Sequence, residues 1–147
     1  MKRYIYILFI VLAIIVLDQL TKYLIVTRLS PFDSIEIFPF LHIVNVRNTG
    51  AAFGSFRNLG SNFFIIVSVV AIIFVVSLLI KRAYNTLALS LVLGGAIGNL
   101  IDRIFYGKVV DFADFSVGTF HWPAFNVADS ALTVGIFIIV LTSFLKK

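Results

Sequence analysis

The stretch "FFIIVSVVAIIFVVSLLI", Phe63 to Ile80, carries no charged residue. A helix that crosses a bilayer needs about 20 consecutive apolar residues, and in hydrocarbon the backbone must satisfy its own hydrogen bonds. This run predicts a membrane-spanning helix and so fixes the solvent for much of the chain. Three further runs fit the same template: about Tyr4–Ile25, Ala83–Asp102 and Asn126–Leu145. The first is expected to be an uncleaved span. Its apolar stretch continues too far for a secretory leader, and "VTRLS" is not a small-residue cleavage site. The balance of residues agrees, with 13% charged where an ordinary soluble domain has about 25%. One integral membrane domain over residues 1–147 is expected.

Four crossings place both termini on one side. Lys2, Arg3, Lys81, Arg82, Lys146 and Lys147 share that side, and Lys22, Arg28, Arg47, Arg57, Arg103 and Lys108 fall on the other. The basic residues tie, but the first set forms tight doublets against span ends in very short segments. That side is assigned to the cytoplasm. The net charge of +5 belongs to these membrane flanks, so nucleic acid is not expected as a partner.

The outer segments carry strand signals. "SIEIFPFLHIVNVRN" (Ser34–Asn48) alternates in part and is β-branched, which predicts two short strands. "SVGTFHW" (Ser116–Trp122) predicts a strand pair turning at Gly118. Gly50, Gly54 and Gly60 mark bends between. Ser61 in "NLGS" is a candidate N-cap for the second span. The expected fold is an all-α membrane protein, four transmembrane helices carrying a small extracytoplasmic β-rich platform.

With that topology every acid lies in the outer half or outside the membrane. Asp18, Asp102 and Asp129 bring a carboxylate from three helices to one level, a short way inside the outer interface or at it. An Asp at a span's centre costs about 2.5–3.5 kcal/mol on insertion scales, so an intramembrane acid is a functional candidate by default. Asp18 and Lys22 in "DQLTK" share a helical face with the acid N-terminal, an arrangement that favours a structural ion pair. Asp102 lies beside Arg103 and shares a face with Asn99, so charge balance and catalysis are equally good accounts of it. Asp33, Glu36 and Asp114 fit solvated loop acids. Asp111 in "KVVDFADF" and Asp129 in "FNVADS" have no basic residue within two positions. They are candidates for a working pair, though the residues alone do not choose between them and Asp102.

Other chemistries find little footing. The chain has no cysteine, which removes thiolate nucleophiles and zinc–sulfur sites. His42 and His121 lie in separate strands with no second ligand at metal spacing, so no metal and no cofactor are expected. Gly94 and Gly98 form a G-x-x-x-G pattern that permits close helix packing, without the context of a phosphate loop. Two close carboxylates tend to share one proton. The ionised member can activate water while the protonated member donates to a carbonyl oxygen. A proton- or ion-coupled transporter is the alternative, since acids and asparagines on several spans can relay a cation.

Five motifs in order carry a resemblance: "DQLTK" (Asp18–Lys22), "NTGAAFG" (Asn48–Gly54), "GGAIGNLIDR" (Gly94–Arg103), "GKVVDF" (Gly107–Phe112) and "FNVADS" (Phe125–Ser130). Over nearly its full length the chain resembles the lipoprotein signal peptidase (signal peptidase II) family. The resemblance implies a bacterial inner-membrane aspartyl peptidase that cleaves prolipoproteins just before a lipid-modified cysteine. It implies Asp111 and Asp129 as the dyad. Asn48, Asn99, Arg103 and Asn126 would support dyad and substrate, and Asp18, Lys22 and Asp102 would be structural. The expected partners are lipidated prolipoproteins and membrane lipid, and the expected state is a monomer.

Overall fold

The computed structural model describes residues 1–50 and 60–145. The expectations for Gly54, Arg57, Lys146 and Lys147, and most of the motif Asn48–Gly54, lie outside the described residues. Four helices are long and apolar enough to cross a membrane: α1 (Lys2–Arg28), α2 (Gly60–Lys81), α3 (Thr86–Tyr106) and α4 (Val127–Leu145). Helix α3 starts later and runs further than the predicted span. Its start is set by Asn85, whose side-chain oxygen accepts from the Ala88 amide at 3.2 Å. It ends on Gly107, held at φ 68° with its amide bonded to the Arg103 carbonyl. Ser61 does not cap α2. It lies inside the helix, and its hydroxyl donates to the Arg103 carbonyl at 3.4 Å.

The bundle is arranged around α3. Half of its most apolar window is buried, against 11% for α1 and α2 and 17% for α4. The three outer helices instead turn large apolar side chains outward, among them Phe9, Ile66, Phe74 and Phe137. Water would penalise that surface by roughly 25 cal/mol per Å², and lipid does not. The apolar core joins Val11 of α1, Val75 and Leu79 of α2, and Leu89, Val92 and Leu93 of α3.

Glycines let the helices approach. A Cβ placed on Gly94 would lie 2.9 Å from the Ile14 Cβ, and one on Gly98 would lie 2.8 Å from the Asp18 Oδ2. This is the predicted G-x-x-x-G face, turned toward α1. Gly95 serves a second face, where an added Cβ would fall 2.4 Å from the Ala128 carbonyl of α4. Gly95→Ala is therefore expected to push α4 away and lower stability by about 1–3 kcal/mol, read as a drop in the thermal midpoint of purified protein. Gly107 meets open space, so the cost of Gly107→Ala comes from its positive φ alone.

At one end of the bundle sits a four-stranded antiparallel sheet, ordered β1 (Ser34–Phe38), β2 (Leu41–Asn48), β3 (Val109–Val117) and β4 (Phe120–His121). The two strands expected in 34–48 are present, as is the turn at Gly118, where φ is 61°. The third strand begins earlier than its sequence signal. Val109 and Val110 are buried, and Asp111 pairs with Val46 and Asp114 with His42. Asp114 and Glu36 are therefore strand residues and not loop acids. The sheet is fastened to α1 by Asn45, whose amide donates to the Leu29 carbonyl at 2.7 Å.

Candidate active site

Where the sheet meets the ends of α3 and α4 lies a cavity of about 710 Å³. Its polar lining includes Asn48, Asn99, Arg103, Asp111, Asp114 and Asp129. The two carboxylates reach it from different elements, Asp111 from β3 and Asp129 from the first turn of α4.

Asn126 joins them. Just ahead of α4, its side-chain oxygen accepts from the Asp129 amide at 2.8 Å, and Asp129 Oδ2 accepts from the Asn126 amide at 3.3 Å. This reciprocal arrangement satisfies orphan donors at the helix start. The Asn126 Nδ2 donates to Asp111 Oδ1 at 2.7 Å, with Asn99 Oδ1 and the Val110 carbonyl each at 3.2 Å. Asn48 Nδ2 donates to Asp111 Oδ2 at 3.0 Å, and Asn99 Nδ2 donates to Asp129 Oδ1 at 2.7 Å. Each carboxylate is thus fixed by amide donors, and among the described residues neither is neutralised by a directly bonded cation.

Burial pushes the Asp111 carboxyl up to about 7, and the negative charge of Asp129 pushes in the same direction. The hydrogen bonds from Asn48 and Asn126 oppose both effects without cancelling them. Arg103 stands at the cavity wall, with Nη1 on the Asn99 carbonyl at 3.4 Å and its guanidinium 5.4 Å from the centre of the Phe64 ring.

Asp18 and Asp102 face elsewhere. Lys22 Nζ lies 2.7 Å from Asp18 Oδ2 and 3.0 Å from Asp102 Oδ2, and it donates to Asn99 Oδ1 at 3.0 Å. Asp102 Oδ2 also accepts from the Val110 amide, and Asp18 Oδ1 accepts from the Ala128 amide of α4. Both are almost fully buried and neither lines the cavity. Lys22 is therefore not Asp18's alone, as sequence spacing implied, because Asp102 shares it. Gln19 was missed. Its amide bridges Asp18 Oδ2, Asp102 Oδ1 and the Gly98 carbonyl. The signal was available in "DQLTK", where Gln19 lies between Asp18 and Lys22. Also unanticipated was Asp114 with His121, whose Nδ1 is 2.8 Å from Asp114 Oδ2. His42 and His121 come together with ring centres 6.2 Å apart. Among the described residues no group of three or more His, Cys, Asp or Glu is placed to hold a metal ion.

Fold and site together define a multi-pass membrane protein with a polar, carboxylate-bearing cleft at one end of its bundle. A sequence profile for signal peptidase (SPase) II matches residues 10–145. The chain is 49% identical to a lipoprotein signal peptidase of Thermodesulfovibrio yellowstonii, over 91% of this chain and 90% of that protein. It is 48% identical to one of Brevibacillus brevis, over 90% of each. A bacterial membrane enzyme solved by the in meso method at 2.3 Å resolution superposes with a TM-score of 0.88 at 39% identity, covering 96% of this chain and 88% of that one. The chain belongs to the signal peptidase II family of bacterial membrane proteases.

Proposed function

We propose that this chain is an aspartyl endopeptidase. It removes signal peptides from lipid-modified prolipoproteins and cleaves just before the diacylglyceryl-cysteine. The observation that carries this reading is that Asp111 and Asp129, out of two different elements, open on one cavity and are each fixed by an asparagine. Burial and the charge of Asp129 raise the Asp111 carboxyl to about 7, so a proton is kept on the pair much nearer neutral pH than on an ordinary carboxylate. The ionised carboxylate takes a proton from water, whose oxygen adds to the scissile carbonyl carbon. The protonated one donates to the carbonyl oxygen, and collapse breaks the C–N bond as the nitrogen takes up a proton. The titration belongs to the pair. Arg103 and Asn48 are placed to bond the substrate backbone, since unsatisfied peptide groups are costly in hydrocarbon.

In this reading the whole chain is one peptidase domain with both termini cytoplasmic and the sheet outside, working as a monomer. A lipid-anchored substrate holds its scissile bond at the interface, level with the cleft. The test is cleavage by purified protein in mixed lipid–detergent micelles of a diacylglyceryl-modified precursor and its unlipidated form. The lipidated precursor is expected to be cut at least about a hundredfold faster, because misplacement by about 1 Å already costs that much. Equal rates would refute lipid positioning. The rate should pass through a maximum with pH and fall as pH rises through about 7, where Asp111 gives up its proton. A rate still climbing at pH 9 would remove Asp111 as the proton-holding member.

A further inference from the structure

At the opposite end of the bundle a second cavity, of about 400 Å³, lies among Arg3, Arg82, Tyr84, Asn85, Thr86 and Thr142. Three separate parts of the chain build it: the start of α1, the α2–α3 turn and the end of α4. No acid lines it. Arg3 is fixed in place, with Nη2 on the Leu79 carbonyl at 2.7 Å and Nε on the Thr86 hydroxyl at 3.3 Å. Arg82 is different. Among the described residues its side chain has no hydrogen-bond or ion-pair partner. Its backbone has φ 53°, and it is the one non-glycine described residue at positive φ. Helix ends with that conformation usually carry glycine, so an arginine here is locally disfavoured. Arg82 is exposed, so water can serve its guanidinium in the free protein; a disfavoured backbone conformation at a cavity that holds two arginines and no acid points to an anionic ligand.

We propose that this cavity binds the phosphodiester headgroup of an anionic phospholipid. Arg82 supplies a planar pair of donors matched to phosphate oxygens, and Arg3 adds a second positive charge from α1. Tyr84 and Asn85 also line the cavity, and each side chain carries a further donor. A lipid is favoured over a soluble phosphate by what adjoins the cavity. It lies at the ends of helices long and apolar enough to cross a membrane, and so at the level of lipid headgroups, and those helix ends expose apolar side chains such as Ile80 and Phe144. Basic pockets between helices at the cytoplasmic level hold acidic headgroups in this way. Bound lipid would tie α1, α4 and the α2–α3 turn together.

The experiment is native mass spectrometry and thermal unfolding of the full chain in dodecyl maltoside, with phosphatidylglycerol, phosphatidylcholine or inorganic phosphate added. Phosphatidylglycerol is expected to be retained and to raise the unfolding midpoint, while phosphatidylcholine is not. Arg82→Gln should weaken phosphatidylglycerol binding about fivefold or more. Arg82→Gly separates charge from strain: it should be no less stable than the parent in phosphatidylcholine and still lose the phosphatidylglycerol gain. Equal retention of the two lipids, or unchanged phosphatidylglycerol binding in both variants, overturns the proposal. Protection by inorganic phosphate equal to that by phosphatidylglycerol overturns the lipid as its source.

Discussion

Asp111→Asn and Asp129→Asn are each expected to abolish prolipoprotein cleavage, by at least about a thousandfold, while the protein still folds and inserts. An amide neither takes a proton from water nor hands one to a carbonyl oxygen, so each substitution removes a whole role. The fold should tolerate the change, and for Asp111 it should improve. Burial and Asp129 hold its folded pKa near 7, above the ordinary carboxylate value. A group raised in this way contributes stability at low pH that is lost as pH rises through about 4 to 7, because the unfolded chain ionises first. At pH 8 the parent carries that penalty in full and the Asn variant does not. One amide donor, from Asn48 or Asn126, loses its acceptor in exchange. The net expectation at pH 8 is a variant at least as stable as the parent, by on the order of 1 kcal/mol, and the advantage should vanish at pH 4. Thermal unfolding at the two pH values, run beside the cleavage assay, checks both halves. Full activity in either purified variant would sink the dyad.

Much of this molecule is legible in its sequence, because lipid enforces simple rules. A spanning helix must be long and apolar, and all four announce themselves by length and sparse charge. Glycine spacing in "GGAIGN" gave one packing face correctly, yet Gly95 hid a second, since a single residue between the two G-x-x-x-G positions reveals nothing about a third helix. Strand β3 was half legible. Its buried residues Val109 and Val110 are consecutive, so there is no clean alternation to see, and backbone pairing to β2 decides the structure there. The acids were the hard part. Depth places Asp18, Asp102 and Asp129 at a similar level and leaves Asp111 outside the spans. Only the direction each side chain takes separates those that line the cavity from those that meet Lys22. That direction comes from long-range contacts, such as Lys22 with Asn99 and Asp18 with the Ala128 amide, which no local pattern encodes.

The same contacts predict that Lys22, and not Asp18, is the most sensitive position in the polar core. Sequence spacing suggests a simple pair in which losing either partner strands the other. The observed group has one ammonium between two carboxylates, all three nearly inaccessible to solvent. Asp18→Ala leaves Lys22 still 3.0 Å from Asp102, so its charge keeps a partner. What is lost is an acceptor for the Ala128 amide and for Gln19, about 1–3 kcal/mol. Lys22→Met has a similar length and removes the only cation, among the described residues, bonded to either acid. Two buried carboxylates then face each other with Gln19 as their shared donor, and breaking a buried pair in this way costs about 3–5 kcal/mol. Asn99 loses one of the two donors to its Oδ1, keeping only Asn126, and Asn99 holds Asp129. The order of damage to accumulation and thermal midpoint should therefore be Lys22→Met, then Asp18→Ala, with Asp18→Asn mildest. Turnover per folded molecule should fall further in Lys22→Met than in Asp18→Asn, since the loss reaches Asp129 through Asn99. If Lys22→Met accumulates normally and Asp18→Ala does not, the two-acid group is not what holds α1, α3 and α4 together, and the bond from Asp18 to the Ala128 amide takes its place.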